Sequence, residues 1–68
     1  MDQENFNLSV RKFLKMVGVR SQHEIEQAVE KAIASGAIKG SESLPATVTQ
    51  KIAGVQLEVV FDGRIDLQ

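Results

Sequence analysis

The chain has 68 residues, no cysteine and one histidine, and its eight basic residues nearly balance nine acidic ones to leave a net charge of -1. This composition excludes disulfides and thiolate metal sites, and it provides no field for attracting nucleic acid or an anionic membrane. A chain of this length forms one domain, residues 1–68, and buries only about 60% of the surface that it exposes when unfolded. A second copy is the common stabilising device that remains, so we expect a homodimer.

Apolar residues at helical spacing predict a first helix over residues 4–17. Its stripe consists of Phe6, Val10, Phe13, Leu14 and Val17. Asn5 and Asn7 are candidate N-caps, and Gly18 stands where a left-handed residue ends many helices. Leu8 falls off the stripe, which leaves two interpretations open: an ordinary exposed leucine, or part of a second contact surface.

A capping box predicts the start of a second helix over residues 22–35. Ser21-Gln22-His23-Glu24 has the required serine and glutamate spacing, and Gly36 marks the end. The apolar stripe of this helix consists of Ile25, Ala28, Val29, Ala32 and Ile33. Only about three residues join the two helices, so we expect them to pack side by side in opposite directions.

After a connector at residues 37–45, the pattern changes to strict alternation, which predicts strands at 46–52 and 55–67. Ala53-Gly54 is a candidate two-residue turn. With that turn, the predicted opposite residues are Ile52 and Val55, Gln50 and Leu57, Val48 and Val59, and Ala46 and Phe61. We therefore predict an α+β fold, with two N-terminal antiparallel helices packed on one face of a small antiparallel β-sheet with a long C-terminal strand.

The Asp62-Gly63 dipeptide supports a competing interpretation, because Asp-Gly is a strong hairpin signal. A turn there would put Ile65 and Leu67 on the opposite face from Phe61, so the alternation favours one long strand bent at Gly63. That strand would extend past its partner and leave an open edge. We expect the same strand of a second copy, or alternatively a different protein, to pair with this edge, at Asp62, Gly63, Arg64, Ile65, Asp66 and Leu67.

No set of residues in the sequence amounts to a catalytic, metal or cofactor site. His23 is a single solvated histidine, and Glu26 and Glu30 provide too few ligands for a metal. The glycines form no phosphate-binding motif. We therefore expect a non-enzymatic interaction or assembly module without a cofactor. No apolar run is long enough for a membrane span, and the acidic start differs from a signal peptide, so we expect a cytoplasmic protein.

Nucleic-acid binding is the alternative function. Two short helices and a hairpin outline part of a winged helix, and the candidate contacts are Arg11, Lys12, Lys15 and Arg20. The second helix, which would enter the major groove, is acidic on balance, and this is the reverse of the usual electrostatic footprint. The sequence therefore argues against nucleic acid as the partner.

Three stretches of the chain together resemble a known family. They are Ser9 to Val19, Ser21 to Val29, and Ser35 to Gly40 followed by Leu44-Pro45-Ala46. In this order they are similar to a family of short bacterial proteins of unknown function with an α-α-β-β layout, and the similarity covers nearly the whole chain. The matching positions are mainly caps, turns and core residues. The resemblance thus implies a fold and a bacterial origin, and it implies no activity.

Overall fold

The computed structural model describes all 68 residues, as one long helix followed by an antiparallel hairpin. Helix α1 spans Gln3–Ala34, strand β1 spans Ser43–Ile52, a short 3-10 turn spans Ala53–Val55, and strand β2 spans Leu57–Asp66. The chain divides into two compact units, Met1–Ala37 and Ile38–Gln68. The first unit contains the helix and the second contains the hairpin.

The prediction of two N-terminal helices is wrong, because α1 continues without a break through Gly18 and Ser21. The intervening residues include no proline, and one glycine inside a helix costs only about 1 kcal/mol. Ending one helix and starting another would instead leave four backbone groups without a helical partner at each new end. The Ser21-to-Glu24 box therefore lies inside the helix, where it caps nothing.

The ends of α1 are well capped, although the residues at its start differ from those predicted. Asp2 is the N-cap, and its carboxylate accepts a hydrogen bond from the backbone N–H of Asn5 at 3.1 Å. Neither Asn5 nor Asn7 has that role. At the other end the prediction for Gly36 is confirmed, with φ at +80°. The N–H groups of Gly36 and Ala37 donate to the carbonyls of Ile33 and Ala32 at 3.1 and 2.9 Å, which is the Schellman arrangement.

The two strands pair in a register two residues away from the predicted one. Ile52 lies opposite Leu57, and Val48 lies opposite Phe61. The chain reverses through four residues, with Gln56 left-handed at φ +53°, so Ala53-Gly54 does not form a two-residue turn. A shift of two residues keeps every side chain on its predicted face. The alternation thus predicted the faces correctly but not the opposite partners.

Strand β2 continues without a break through Asp62-Gly63, so the prediction of one long strand there is confirmed and the alternative turn is wrong. Strand β1, however, begins at Ser43, three residues before its predicted start. Ser43 lies opposite Asp66, and the ladder therefore covers all of β2. The predicted overhang of β2 does not exist.

No side chain of the single chain is buried, so the core that two helices packed on a sheet would form is absent. The largest apolar residues remain about half exposed: Phe6 and Phe13 at 48% each, and Phe61 at 55%. The predicted fold class is thus wrong in its central feature. The structure has one helix and a two-stranded hairpin where two helices packed on a sheet were expected.

Candidate interaction surfaces

The predicted interface residues form the half of β2 nearer the open end of the hairpin, together with Leu67. Asp62 to Asp66 belong to β2, and Leu67 extends the ladder by donating its backbone N–H to the Glu42 carbonyl at 3.0 Å. One side of this segment is therefore occupied by β1. The other side of β2 is the outer edge of a two-stranded sheet. A partner strand could pair only along that outer edge.

The two outer edges of the hairpin differ in their ability to accept another strand. The bond from Leu67 to Glu42 sets the alternation of the antiparallel ladder, so the odd-numbered residues of β1 direct their backbone groups outward. Pro45 is one of these residues and has no N–H to offer, which weakens the β1 edge as a pairing surface. On β2 the outward groups belong to Glu58, Val60, Asp62, Arg64 and Asp66. No proline interrupts them.

A hydrogen-bonded cluster joins the two strands on the polar face of the hairpin. The Ser43 hydroxyl donates to Asp66 Oδ1 at 2.6 Å and accepts from Arg64 Nε at 2.9 Å. Arg64 Nη2 also donates to the Ser43 carbonyl at 2.9 Å. All three side chains are exposed. The cluster therefore holds the ends of the two strands together.

The opposite face of the hairpin is apolar. Three of its facing pairs are Leu44 and Ile65, Val48 and Phe61, and Ile52 and Leu57, and Gln50 opposite Val59 is its polar exception. Val48 is 54% exposed and Phe61 is 55% exposed. Cross-strand apolar pairs of this kind stabilise a hairpin, but a two-stranded sheet by itself is marginal in water. This face therefore has apolar surface available for further burial.

The turn before β1 is organised by the carboxylate of Glu42. Its two oxygens accept backbone N–H groups from Lys39 and Gly40 at 2.8 Å each and from Ser41 at 3.1 Å. Gly40 has φ +103°, a conformation that other residues rarely adopt. The hydrogen bonds from Lys39 and Gly40 lower the pKa of the Glu42 carboxyl. Glu42 thus closes the connector and fixes where β1 begins.

The four basic residues proposed as nucleic-acid contacts do not form one patch. Arg11, Lys12, Lys15 and Arg20 all lie on α1. Arg11 and Lys15 are four residues apart and share one side of the helix. Arg20 is nine residues beyond Arg11, about two and a half turns, so it points to the opposite side. The winged-helix layout also requires two helices, and the chain has one.

The other polar residues singled out in the sequence are ordinary positions on α1. His23 is exposed in the middle of the helix, away from either end. Glu26 accepts a hydrogen bond from Gln22 Nε2 at 3.2 Å. No group of three or more histidine, aspartate or glutamate side chains is arranged to hold a metal ion. The helix includes no stretch both long and apolar enough to cross a membrane.

Sequence reasoning missed the two polar clusters of the second unit, around Glu42 and around Ser43. The first has a recognisable signal, because a carboxylate after a Gly-Ser pair can cap the backbone of its own turn. The second has none, since Ser43 and Asp66 are 23 residues apart and meet only when the register is known.

These features define a small α+β protein, a helix followed by an antiparallel hairpin, in which every apolar side chain is at least partly exposed. The chain belongs to a family of unknown function, DUF6494, whose model matches residues 1–68. The resemblance to a family of unknown function is confirmed by this match. No curated protein and no solved structure matches the chain.

Proposed function

We propose that the protein is a non-enzymatic assembly module whose working form is a homodimer joined through the outer edge of β2. The observation that carries the proposal is the exposure, at least in part, of every apolar side chain in a single chain. Ordering a residue costs about 1.5 kcal/mol, and apolar burial normally offsets that cost. A single helix and a two-stranded hairpin are each marginal in water, which supports a second chain as the source of further burial.

The outer edge of β2 is the better of the two edges for pairing, because Pro45 interrupts the edge of β1. A second copy of β2, antiparallel about a two-fold axis, would extend the hairpin to four strands. The proposed interface includes the predicted residues Asp62, Gly63, Arg64, Ile65, Asp66 and Leu67. The reason for proposing it is the open outer edge of β2 and no longer an unpaired overhang. The partner would pair with the outer side of a strand that β1 already covers on its inner side.

Side-chain chemistry restricts where the two-fold axis can lie. The axis has to pass through a residue position, because any other register would place apolar side chains opposite polar ones. An axis at Asp62 would put two aspartates opposite each other and is disfavoured. An axis at Phe61 would put Glu58 opposite Arg64 of the second copy. An axis at Gly63 would put Asp62 opposite Arg64 of the second copy. Both alternatives bring opposite charges together and continue the apolar face.

The experiment compares two proline substitutions, Asp62→Pro and Thr47→Pro. These residues lie directly opposite each other, and both direct their N–H away from the other strand, so neither proline removes a bond of the hairpin. We expect Asp62→Pro to be a monomer in sedimentation equilibrium at micromolar concentration, and Thr47→Pro to remain a dimer. Circular dichroism checks that both variants retain their secondary structure. A monomeric wild type, or an Asp62→Pro variant that dimerises as tightly as the wild type, would contradict the proposal.

A further inference from the structure

Helix α1 carries a stripe of residues, apolar except for Ser21, that repeats every eleven residues. Residues eleven positions apart form three series along the helix. The first series is Val10, Ser21 and Ala32, the second is Leu14 and Ile25, and the third is Phe6, Val17 and Ala28. Eleven residues make slightly more than three turns, so the stripe runs nearly parallel to the helix axis over the whole length of α1. Its larger members are open, with Phe6, Leu14 and Ile25 exposed at 48%, 47% and 40%. These residues lie on one side of a single helix only because α1 is continuous.

The stripe changes in size from one end of α1 to the other. Its first half presents Phe6, Val10 and Leu14, whereas its second half ends in Ala28 and Ala32. Two copies side by side in the same direction would place large residues against large and small against small. In opposite directions, about an axis at Ser21, Leu14 faces Ala28 and Val10 faces Ala32 of the other copy. Large against small is the arrangement that fills space between helices.

The charges of α1 also differ between its halves. Residues 3–20 carry Arg11, Lys12, Lys15 and Arg20 against Glu4, a net charge of +3. Residues 21–34 carry Glu24, Glu26 and Glu30 against Lys31, a net charge of -2. A parallel pair would place like charges together, whereas an antiparallel pair places the basic half of each helix beside the acidic half of the other.

We infer that α1 is a second surface for self-association, and that it pairs with α1 of a second copy in an antiparallel direction about an axis near Ser21. The inference rests on the proposed self-association of the chain. Arg20 lies one residue before Ser21 and Glu24 lies three residues after it. Both residues are on the same side of the stripe around the helix. The antiparallel arrangement brings each Arg20 close to Glu24 of the other copy, and the symmetry makes this contact twice.

Charge variants test the contact. Arg20→Glu should raise the Kd of the dimer about tenfold, because each of the two symmetric contacts would then bring a glutamate at position 20 beside Glu24 of the other copy. Adding Glu24→Arg should restore the affinity. The matched control is Lys12→Glu, which makes the same charge change on the opposite side of α1, nine residues before Ser21. If Arg20→Glu has no more effect than Lys12→Glu, or if the double variant does not recover, the inference is wrong.

A distance measurement tests the direction. Because the chain has no cysteine, Ser9→Cys provides a single site for a spin label on α1. About an axis at Ser21 the two labels lie about 36 Å apart along the helix axis, whereas a parallel pair keeps them within about 20 Å. A dimer with the short distance would refute the antiparallel pairing and leave the proposed assembly intact. A monomeric protein would refute the assembly itself.

Discussion

The Ser43 hydroxyl donates a hydrogen bond to the Asp66 carboxylate across 23 residues of sequence, at a distance of 2.6 Å. The two residues are opposite partners at the open end of the hairpin, and Arg64 Nε donates to the same hydroxyl at 2.9 Å. This cluster holds together the ends of the two strands, the part of a hairpin that frays most easily.

Ser43→Ala should loosen the open end of the hairpin. The variant removes the hydroxyl that joins Asp66 to Arg64, and we expect a loss of at most about 1 kcal/mol because the cluster is exposed. The specific readout is amide hydrogen exchange at Leu67, whose N–H bonds the Glu42 carbonyl and should exchange several times faster. Ser41→Ala is the matched control, because Ser41 contributes only its backbone N–H, which the substitution retains. Equal exchange at Leu67 in both variants would show that the cluster does not hold the strand ends.

Glu42→Gln should destabilise the protein at neutral pH and much less in acid. The backbone N–H groups of Lys39 and Gly40 lower the pKa of the Glu42 carboxyl below its ordinary value of 4.5. The folded state therefore favours the charged form, and this stabilisation is present above pH 4.5 and disappears as the pH falls through the lowered pKa. Thermal unfolding of the wild type and the variant at about pH 7 and about pH 2 measures the effect. The two midpoints should differ at the higher pH and converge at the lower one. Midpoints that already agree near neutral pH would mean that the charge has no role in the turn.

Two glycine substitutions distinguish one long helix from two short ones. Gly18 lies inside α1, and a Cβ added there meets nothing within 4 Å. Because alanine has the higher helix propensity, Gly18→Ala should raise the free energy of unfolding by about 1 kcal/mol and should also raise the helix content. Gly36 has φ +80°, so Gly36→Ala should lower stability by about 1 kcal/mol or more. Circular dichroism melts at a fixed chain concentration compare the two variants. Had Gly18 ended a first helix in a left-handed conformation, its substitution would be as harmful as that of Gly36.

Gln56→Gly should stabilise the hairpin turn. Gln56 is the one non-glycine residue of the chain with positive φ, at 53°, a conformation that costs an L-residue about 1–2 kcal/mol. Glycine removes most of that cost and loses part of the gain through its freer unfolded state, which leaves a net gain of up to about 1 kcal/mol. Gln50→Gly is the matched control, because Gln50 lies within β1, where glycine should destabilise. Thermal midpoints provide the comparison. A loss of stability at both positions would contradict the left-handed conformation of Gln56.

Local patterns determined much of this protein. The alternation from Ala46 onward determined the two strands and the face of each side chain, and Gly36 determined the end of the helix. These features depend on residues within a few positions of one another, where backbone preferences and side-chain spacing decide. The composition by itself also excluded disulfides, because the chain has no cysteine.

Only the structure showed which of several equally strong local signals end a helix and which residues of the two strands lie opposite each other. The Ser21-to-Glu24 box and Gly18 are good boundary signals, yet α1 runs through both, because continuing a helix satisfies more backbone groups than stopping it. The exact register depends on the left-handed Gln56, and the cluster of Ser43, Arg64 and Asp66 exists only in that register. The predicted overhang of β2 disappeared for the same reason. Pairing between distant residues is a property of the whole hairpin, and no local pattern specifies it.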